Sequence, residues 1–275
     1  MGWITFTYVL MKYAGSAAHF SSSMIISSLL TLLYSMEKYV IVATQKPVEI
    51  REDASTTVGA LKSFFEGAGW TVLFKENASS MFEVYSSGVK ELNVKAQDQV
   101  VLCHDDIEIM ASADQFNKMM DTVLTSTTGF VGVAGSAVIT HLINWYQCSL
   151  QHPERNVGGG VVYHGSDAAT MKPSFYGQRD LAASLDGLFL ATRGKVLHTI
   201  QLNMPKALTS PWDHYDAFYC LQAHLKGYEN KIIPLAIRHE SGGRYPAIYQ
   251  ENVPVMARMF EKNLPVVIRE IPHVS

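Results

Sequence analysis

The segment VVLCHDDIEI, residues 100–109, is the part of the sequence that decides the fold. It opens with four apolar residues, which is typical of a strand buried inside a sheet. The strand then stops at the polar side chains of His104, Asp105 and Asp106, and Glu108 follows after one isoleucine. Ligands of parallel α/β sheets bind outside the carboxyl ends of the strands. The segment therefore predicts a buried strand whose carboxyl end borders a ligand site.

Strand and helix patterns alternate on either side of this strand. Strands are expected at residues 38–44, 70–74, 99–103, 130–134, 188–192 and 231–237, and helices at 57–67, 79–92, 113–124 and 214–225. Ser79 and Ser80 are candidate N-caps of the second helix. Residues 152–160 and 203–211, rich in glycine or proline, are expected to be loops. The repeated strand–helix units predict an α/β fold with a mostly parallel central sheet flanked by helices.

The first 35 residues differ in composition from the rest of the chain. They contain one lysine, Lys12, no acidic residue and many serines. Three interpretations stay open for residues 1–35: a dispensable extension, a membrane or interfacial anchor, and a helix packed on the domain. No internal repeat, low-complexity tract or linker interrupts residues 36–275, so we expect these residues to form one domain.

The overall composition is that of an ordinary globular protein. The formal net charge of -3 gives no basic field for a nucleic acid, so no nucleic-acid partner is expected. The cysteines Cys103, Cys148 and Cys220 are widely spaced and form no CxxC pair, which argues against a disulfide framework or a zinc knuckle. This cysteine usage predicts a cytoplasmic protein, and residues 1–35 leave attachment to the cytoplasmic face of a membrane open.

Two strand ends carry candidate metal ligands. The acids and the histidine of residues 104–108 would repel one another or remain unpaired unless a cation or hydrogen-bond donors compensate them, and Mg²⁺ or Mn²⁺ is the natural cation for such oxygens. An acidic loop that is merely solvated, or that caps the next helix, is the alternative. In IRHESGG, residues 237–243, His239 also follows a predicted strand, and it is either a ligand or a structural hydrogen-bonding residue.

Two further segments carry candidate catalytic or donor-binding residues. Asp213 and Asp216 lie where a helix is expected to begin, a position that suits either an N-cap or a carboxylate base. Asp186 and the following glycine allow a turn that brings the backbone close to a ligand. Arg193 either pairs with a donor phosphate or is a surface charge.

Taken in order, these segments resemble the GT-A, family-2-like glycosyltransferases, in particular a branch found in bacteria and large viruses. The resemblance is carried by YVIVAT, FEVYSSGVKEL, VVLCHDDIEI, GFVGVAGS, DGLFLATR, HYDAFYCLQAHLKGY and IRHESGG, which follow one another between residues 39 and 243. It implies a GT-A (Rossmann-like) domain over residues 36–275. It also implies an inverting hexosyl- or deoxyhexosyltransferase of polysaccharide biosynthesis that needs Mn²⁺ or Mg²⁺. Its partners would be a nucleotide-diphosphate sugar donor and a glycan or other hydroxyl acceptor.

The resemblance also implies a metal site. The DXD motif of the family falls on residues 104–106, with His104 in place of the first Asp. Asp106 would hold the metal that bridges the donor diphosphate, and Asp105 would contact the nucleotide ribose. His239 resembles the late histidine that completes the metal site.

The remaining implied roles concern the catalytic base and the nucleotide pocket. Asp216 falls on the usual catalytic base, and Ala43 and Thr44 would border the nucleotide. Two positions depart from the family pattern: Phe218 replaces a frequent second acid, and Ser86 replaces a frequent Asn. Both departures concern substrate and activity, and neither removes a proposed catalytic atom.

Four other classes of protein are alternatives to a glycosyltransferase. A degenerate transferase that only binds a sugar or a nucleotide remains open. A sugar nucleotidyltransferase would need a Gly-rich cationic loop after the first strand, where this chain has QKPV at 45–48. A metal-dependent hydrolase would need a denser ligand set for two metals. A dinucleotide oxidoreductase is disfavoured because no GxGxxG follows a strand.

Overall fold

The computed structural model describes residues 36–151, 156–167, 169–242 and 247–269. The expectations for residues 1–35 fall outside these ranges. The helices are α1 Val48–Glu52, α2 Thr57–Gly67, α3 Met81–Glu91, α4 Ala113–Val123, α5 Trp145–Gln151, α6 Gly194–Thr199, α7 Tyr215–Leu225 and α8 Ala247–Met259. The strands are β1 Lys38–Ala43, β2 Thr71–Lys75, β3 Gln99–His104, β4 Ile107–Ile109, β5 Thr128–Gly132, β6 Ala134–Ser136, β7 Val138–Ile139, β8 Gly158–His164, β9 Lys172–Gln178, β10 Leu181–Ala182, β11 Ser184–Leu185, β12 Phe189–Arg193, β13 Glu229–Ile232, β14 Ile237–His239 and β15 Val266–Val267.

The main sheet has seven strands in the order β10-β13-β5-β12-β3-β1-β2. Its pairings make β1, β2, β3, β5 and β13 run in one direction, and only β10 and β12 run in the other. The predicted α/β fold with a mostly parallel sheet flanked by helices is therefore confirmed. Because β1 and β3 pair in parallel with Ala43 opposite His104, the carboxyl ends of both strands meet at one edge.

A second sheet has the strand order β11-β6-β8-β14-β4, with β9 paired to β8, and β7 pairs with β15 in a separate ribbon. The loop expected over residues 152–160 is wrong at its end, because the three glycines begin β8. Gly160 has a φ of +94° beside a shift in the β8–β9 register. A Cβ at Gly160 would overlap the carbonyl of Val133. These glycines therefore permit close backbone approach inside a sheet.

The strand expected over residues 231–237 is in fact two strands in two different sheets. It ends at Ile232 in the main sheet, and Ile237 begins β14 in the second sheet. Pro234 lies between them and cannot donate a ladder hydrogen bond, which accounts for the interruption. The chain thus crosses between sheets immediately before His239.

Several helix ends follow from local sequence. Ser80 caps α3 by accepting a hydrogen bond from the backbone of Glu83, as one of the two predicted caps. Ser112 and Gln115 form a reciprocal capping box at the start of α4. Within the described ranges, none of the helices has the length and apolarity needed to cross a bilayer.

Helix α3 packs against β1 through Gly88. A Cβ at Gly88 would lie 2.7 Å from Cγ2 of Ile41, whose side chain is fully buried. Gly67, the last residue of α2, has no atom within 4 Å of the corresponding position. Alanine substitutions at these two glycines therefore separate the effect of close packing from the effect of helix propensity.

We expect Gly88→Ala to lower the free energy of unfolding by about 1–3 kcal/mol, because the added methyl group overpacks the interface with Ile41. Gly67→Ala is the control and should be neutral or raise that free energy by up to about 1 kcal/mol. Urea denaturation of both variants measures the difference. Equal stabilities for the two variants would contradict the packing shown by α3 and β1.

Candidate active site

The edge of the main sheet where β1 and β3 end carries the polar cluster. Strand β3 ends at His104, the chain turns through Asp105 and Asp106, and β4 then enters the second sheet. Strand β4 pairs antiparallel with β14, so that Ile107 faces His239. The Glu240 amide also donates to the Asp106 carbonyl oxygen at 2.9 Å. The pairing of β4 with β14 therefore brings His104 and His239 close together, although they are 135 positions apart in the sequence.

His104, Asp106 and His239 form a candidate metal-binding group, and their ligand atoms all lie within 4.8 Å of one another. The Asp106 Oδ1 atom lies 3.3 Å from His239 Nε2 and 3.9 Å from His104 Nδ1. It is buried, and neither contact makes a hydrogen bond. A buried carboxylate oxygen without a hydrogen-bond partner is costly, and a bound cation would satisfy it. The three residues therefore fit a divalent ion.

The charge states in this group depend on burial and mutual contact. Burial works against ionisation of Asp106, but the adjacent His239 imidazole, the Ser241 hydroxyl and His104 outweigh it and hold the pKa of the carboxyl below its ordinary value. Burial also lowers the pKa of His104. Burial works against protonation of His239, but the Asp106 carboxylate, together with the negative charges of Asp186 and Glu240, raises the pKa of its imidazole above the ordinary value. The group thus holds an ionised carboxylate beside an imidazole that favours the neutral, metal-binding form.

Asp105 points to a different set of partners. Its Oδ2 atom accepts a hydrogen bond of 2.5 Å from Thr44 Oγ1 and lies 4.0 Å from Lys46 Nζ. Thr44 is buried and directly follows Ala43, the last residue of β1. Ala43, Thr44 and Asp105 therefore lie together at the carboxyl edge of the sheet, beside the candidate metal group.

A large cleft opens beside the same edge, with a volume of about 1090 Å³. Its lining includes His104 and His239, and also Asp186, Asp213 and Asp216. Asp216 is in the first turn of α7, and its Oδ1 atom accepts a 2.7 Å hydrogen bond from the Ala217 amide. Burial, and then the negative charge of Asp186, raise the pKa of the Asp216 carboxyl to about 7. Asp216 is thus a carboxylate of increased basicity facing the cleft.

Asp213 is not the N-cap of α7. The capping position belongs to His214, which adopts a left-handed conformation with φ 63° and provides no side-chain cap. Asp213 instead accepts a short hydrogen bond from Ser210. Of the two acids, Asp216 is the one in the first turn of α7, and the negative charge of Asp186 contributes to its raised pKa.

Arg193 and Glu108 lie apart from the candidate metal group. Because β12 runs antiparallel to β3, Arg193 pairs with Gln99 at the amino end of β3, five residues or roughly 17 Å from His104. The Arg193 guanidinium donates to the carbonyl oxygens of Leu124 and Gln97. Arg193 is thus at the opposite end of β3 from the candidate metal group and is not among the residues that line the cleft.

Glu108 leaves the cluster for a structural reason. Its carboxylate forms an ion pair with Arg238, with Nε and Oε2 2.7 Å apart across the β4–β14 ladder. Arg238 thus neutralises the Glu108 carboxylate, and Glu108 is not one of the three residues of the candidate metal group. The three acids of residues 105–108 therefore have different partners: Asp105 contacts Thr44, Asp106 lies beside the two histidines, and Glu108 pairs with Arg238.

Aromatic side chains form part of the cleft lining. Trp145 and Tyr176 meet edge to face with ring centroids 5.0 Å apart. Phe175 and Trp212 also line the cleft, with 68% and 45% of their surface exposed. Sequence patterns alone did not select these residues, because the elements that carry them are distant along the chain.

Sequence patterns did not identify Tyr215 or His164 as site residues, and for Gly187 they predicted only a turn that brings the backbone close to a ligand. The Tyr215 hydroxyl lies 2.7 Å from His104 Nε2. His164 lines the cleft, and its ring centroid lies 5.7 Å from that of His239. Tyr215 and Gly187 adjoin residues that the sequence had singled out, which was the available signal. No sequence pattern marked His164.

Comparisons with known proteins address the fold. The chain matches no model of a protein family and no curated protein sequence. Similar solved structures include A197 from STIV, with 9% identity, a TM-score of 0.42, and coverage of 75% of this chain and 87% of that chain. They also include a Bacillus anthracis structure described as a "Putative Glucose-1-Phosphate Thymidylyltransferase" in complex with sucrose. Its identity is 9%, its TM-score is 0.33, and the coverage is 82% of this chain and 96% of that chain. At these values neither similarity assigns a function.

Proposed function

We propose that the chain is an inverting, metal-dependent glycosyltransferase that moves a sugar from a nucleotide-diphosphate donor to a hydroxyl of a glycan or another acceptor. One observation carries the proposal: the two histidines of the His104–Asp106–His239 group line the same cleft as the separate carboxylate of Asp216. Direct displacement at a sugar carbon needs charge compensation for the leaving diphosphate and a base for the attacking hydroxyl. The cleft offers residues suited to both tasks.

The ligand atoms of this group favour Mn²⁺ over Mg²⁺. Mg²⁺ prefers ligand sets made only of oxygen, whereas this group supplies two imidazole nitrogens and one carboxylate. A bound divalent ion would stabilise the negative charge of the departing nucleoside diphosphate. His104, Asp106 and His239 would hold such an ion beside the cleft, and three protein ligands would leave coordination positions for the donor diphosphate.

Asp216 takes the role of the base in this proposal. With a pKa of about 7, its carboxylate is a much stronger base than an ordinary aspartate and is still substantially ionised at neutral pH. It accepts the proton of the acceptor hydroxyl as that oxygen attacks the sugar. The negative charge of Asp186 increases the basicity of the Asp216 carboxylate.

Ala43, Thr44 and Asp105 form the proposed nucleotide edge. The Thr44 hydroxyl and the Lys46 ammonium fix the Asp105 carboxylate, which leaves its second oxygen to accept from a ribose hydroxyl. The small side chain of Ala43, at the end of β1, would leave room for a flat base to approach. Arg193 has no part in this proposal.

The alternative classes differ from a transferase in specific ways. For a nucleotidyltransferase, the loop after β1 offers Lys46, but its ammonium faces Asp105 rather than a triphosphate. For a two-metal hydrolase, the described residues provide a single candidate group with three ligands. A degenerate binding protein would bind the donor and leave it unreacted.

A thermal-shift screen tests the proposal. We expect one nucleoside diphosphate, with Mn²⁺, to raise the melting temperature on the order of 5 °C, because a ligand at about 100 times its Kd stabilises by about 2.7 kcal/mol. The screen compares UDP, GDP, ADP, CDP and dTDP, each with Mn²⁺, with Mg²⁺ and with EDTA.

The same screen separates the outcomes. A shift that requires both nucleotide and Mn²⁺ supports the donor site, and incubation with the matching nucleotide sugars then distinguishes transfer from hydrolysis and from binding alone. Absence of any Mn²⁺-dependent shift for all five nucleotides contradicts the proposal.

A further inference from the structure

We infer that Tyr215 is a positioning residue that aims the His104 ring at the metal position, and that Gly187 is what makes room for it. The inference rests on the proposed function, because it concerns how the proposed metal ligand is oriented. It adds to that function a residue outside the ligand set.

The contact between Tyr215 and His104 assigns a role to each nitrogen of the imidazole. The Tyr215 hydroxyl lies 2.7 Å from His104 Nε2, while Nδ1 is the nitrogen that faces Asp106. A proton on Nε2 can be donated to the tyrosine oxygen, which leaves the Nδ1 lone pair for a cation. Ligand histidines in proteins are commonly oriented by a partner on their second nitrogen.

The Tyr215 ring is held firmly enough to act in this way. Only 4% of the residue is exposed. Its ring packs against Tyr85, Phe82 and Tyr219, with centroids 5.6, 6.5 and 6.3 Å away. The hydroxyl therefore has a fixed position before any ion binds, which is the condition for preorganisation.

Because Gly187 has no side chain, it leaves the space that the Tyr215 hydroxyl occupies. A Cβ built at Gly187 would overlap the hydroxyl oxygen and the end of the tyrosine ring. The turn is itself held by the Asp186 carboxylate, which accepts a 3.1 Å hydrogen bond from the Leu188 amide. The sequence pair Asp186–Gly187 thus places an acid in the cleft and at the same time leaves space for Tyr215.

The adjoining residues fix the start of α7. His214 stacks on the Tyr249 ring at 4.1 Å and its Nε2 lies 3.0 Å from the Tyr249 carbonyl oxygen. Tyr215 and Asp216 follow directly. The same helical turn therefore carries the residue that orients a metal ligand and the proposed base.

Mn²⁺ titration of Tyr215→Phe tests the inference, with free Mn²⁺ measured by electron paramagnetic resonance and Mn²⁺ alone as the probe. We expect an approximately 10–100-fold weaker Mn²⁺ affinity, the usual effect of removing an outer partner of a ligand. Tyr219→Phe is the matched control, because Tyr219 is on the same helix, is buried and donates to the Leu202 carbonyl oxygen at 2.8 Å. Its Mn²⁺ affinity should equal that of the wild type. Gly187→Ala should weaken Mn²⁺ binding like Tyr215→Phe, since it displaces the same hydroxyl.

A kinetic readout separates positioning from general damage. In Tyr215→Phe the Mn²⁺ concentration for half-maximal activity should rise, while kcat at saturating Mn²⁺ stays within a few-fold of the wild type. Unchanged Mn²⁺ affinity in both Tyr215→Phe and Gly187→Ala overturns the inference and leaves the proposed function standing. An equal loss in Tyr219→Phe also overturns it, because the effect would then be one of packing. A wild-type chain that binds no Mn²⁺ overturns it as well, and the nucleotide screen decides the proposed function separately.

Discussion

Asp216→Asn is expected to slow sugar transfer by about 10²–10⁴-fold, equivalent to roughly 3–5 kcal/mol of barrier, with near-normal donor affinity and melting temperature. The amide keeps the shape of the carboxylate and can still accept the Ala217 hydrogen bond, but it cannot take a proton from the acceptor hydroxyl. Steady-state kinetics and donor titration measure the two quantities. Asp213→Asn is the control and should lose far less.

The pH dependence gives an independent check on the same residue. The Asp216 carboxyl has a raised pKa of about 7, so it is protonated and inactive as a base below that pH. The transfer rate should therefore rise with pH through about 7 and level off above it. Asp186→Asn removes a negative neighbour and should move this rise to lower pH, whatever it does to the maximum rate. Wild-type rates in Asp216→Asn, or a rise unaffected by Asp186→Asn, would locate the base elsewhere.

Asp106→Ala is expected to abolish the Mn²⁺-dependent part of nucleotide binding. The substitution removes the only carboxylate of the candidate metal group, so the loss should exceed the roughly 10–100-fold effect of an outer partner. His239→Ala should weaken the same binding less, because one imidazole and the carboxylate remain. The thermal-shift response to nucleotide with and without Mn²⁺ measures both variants.

Asp105→Asn is the matched control for this prediction. It changes the neighbouring acid of the same motif, which is held by Thr44 and Lys46 rather than directed at the metal group. It should keep the Mn²⁺ affinity of the free protein and alter only nucleotide affinity. A Mn²⁺-dependent response that survives in Asp106→Ala would exclude the proposed metal site.

The sequence predicted best those features that depend on contacts between residues close together in the chain. The abrupt end of a buried apolar run at His104 predicted both β3 and the polar edge that follows it. Ser80, likewise, predicted the start of α3 through a hydrogen bond three residues away. Such features depend on neighbours in the chain, so they are visible without a fold.

Features that depend on strand direction or on distant contacts were not predictable in this way. The position of Arg193 followed from β12 running against its neighbours, and nothing within residues 185–197 specifies that direction. The three glycines of β8 predict a loop from sequence alone, because the reason for them lies in close approaches by the backbone of Tyr176, Arg179 and Val133, which are elsewhere in the chain. The role of Tyr215 likewise depends on a contact with a residue 111 positions away.

The crossing of the chain from one sheet to the other has a consequence for how the molecule matures. His104 ends a strand of the first sheet, whereas His239 ends a strand of the second sheet that forms from a much later part of the chain. A partly folded chain with only the first sheet assembled would present an incomplete ligand set. The complete set of three candidate ligands therefore forms only when β14 has paired with β4 in the second sheet.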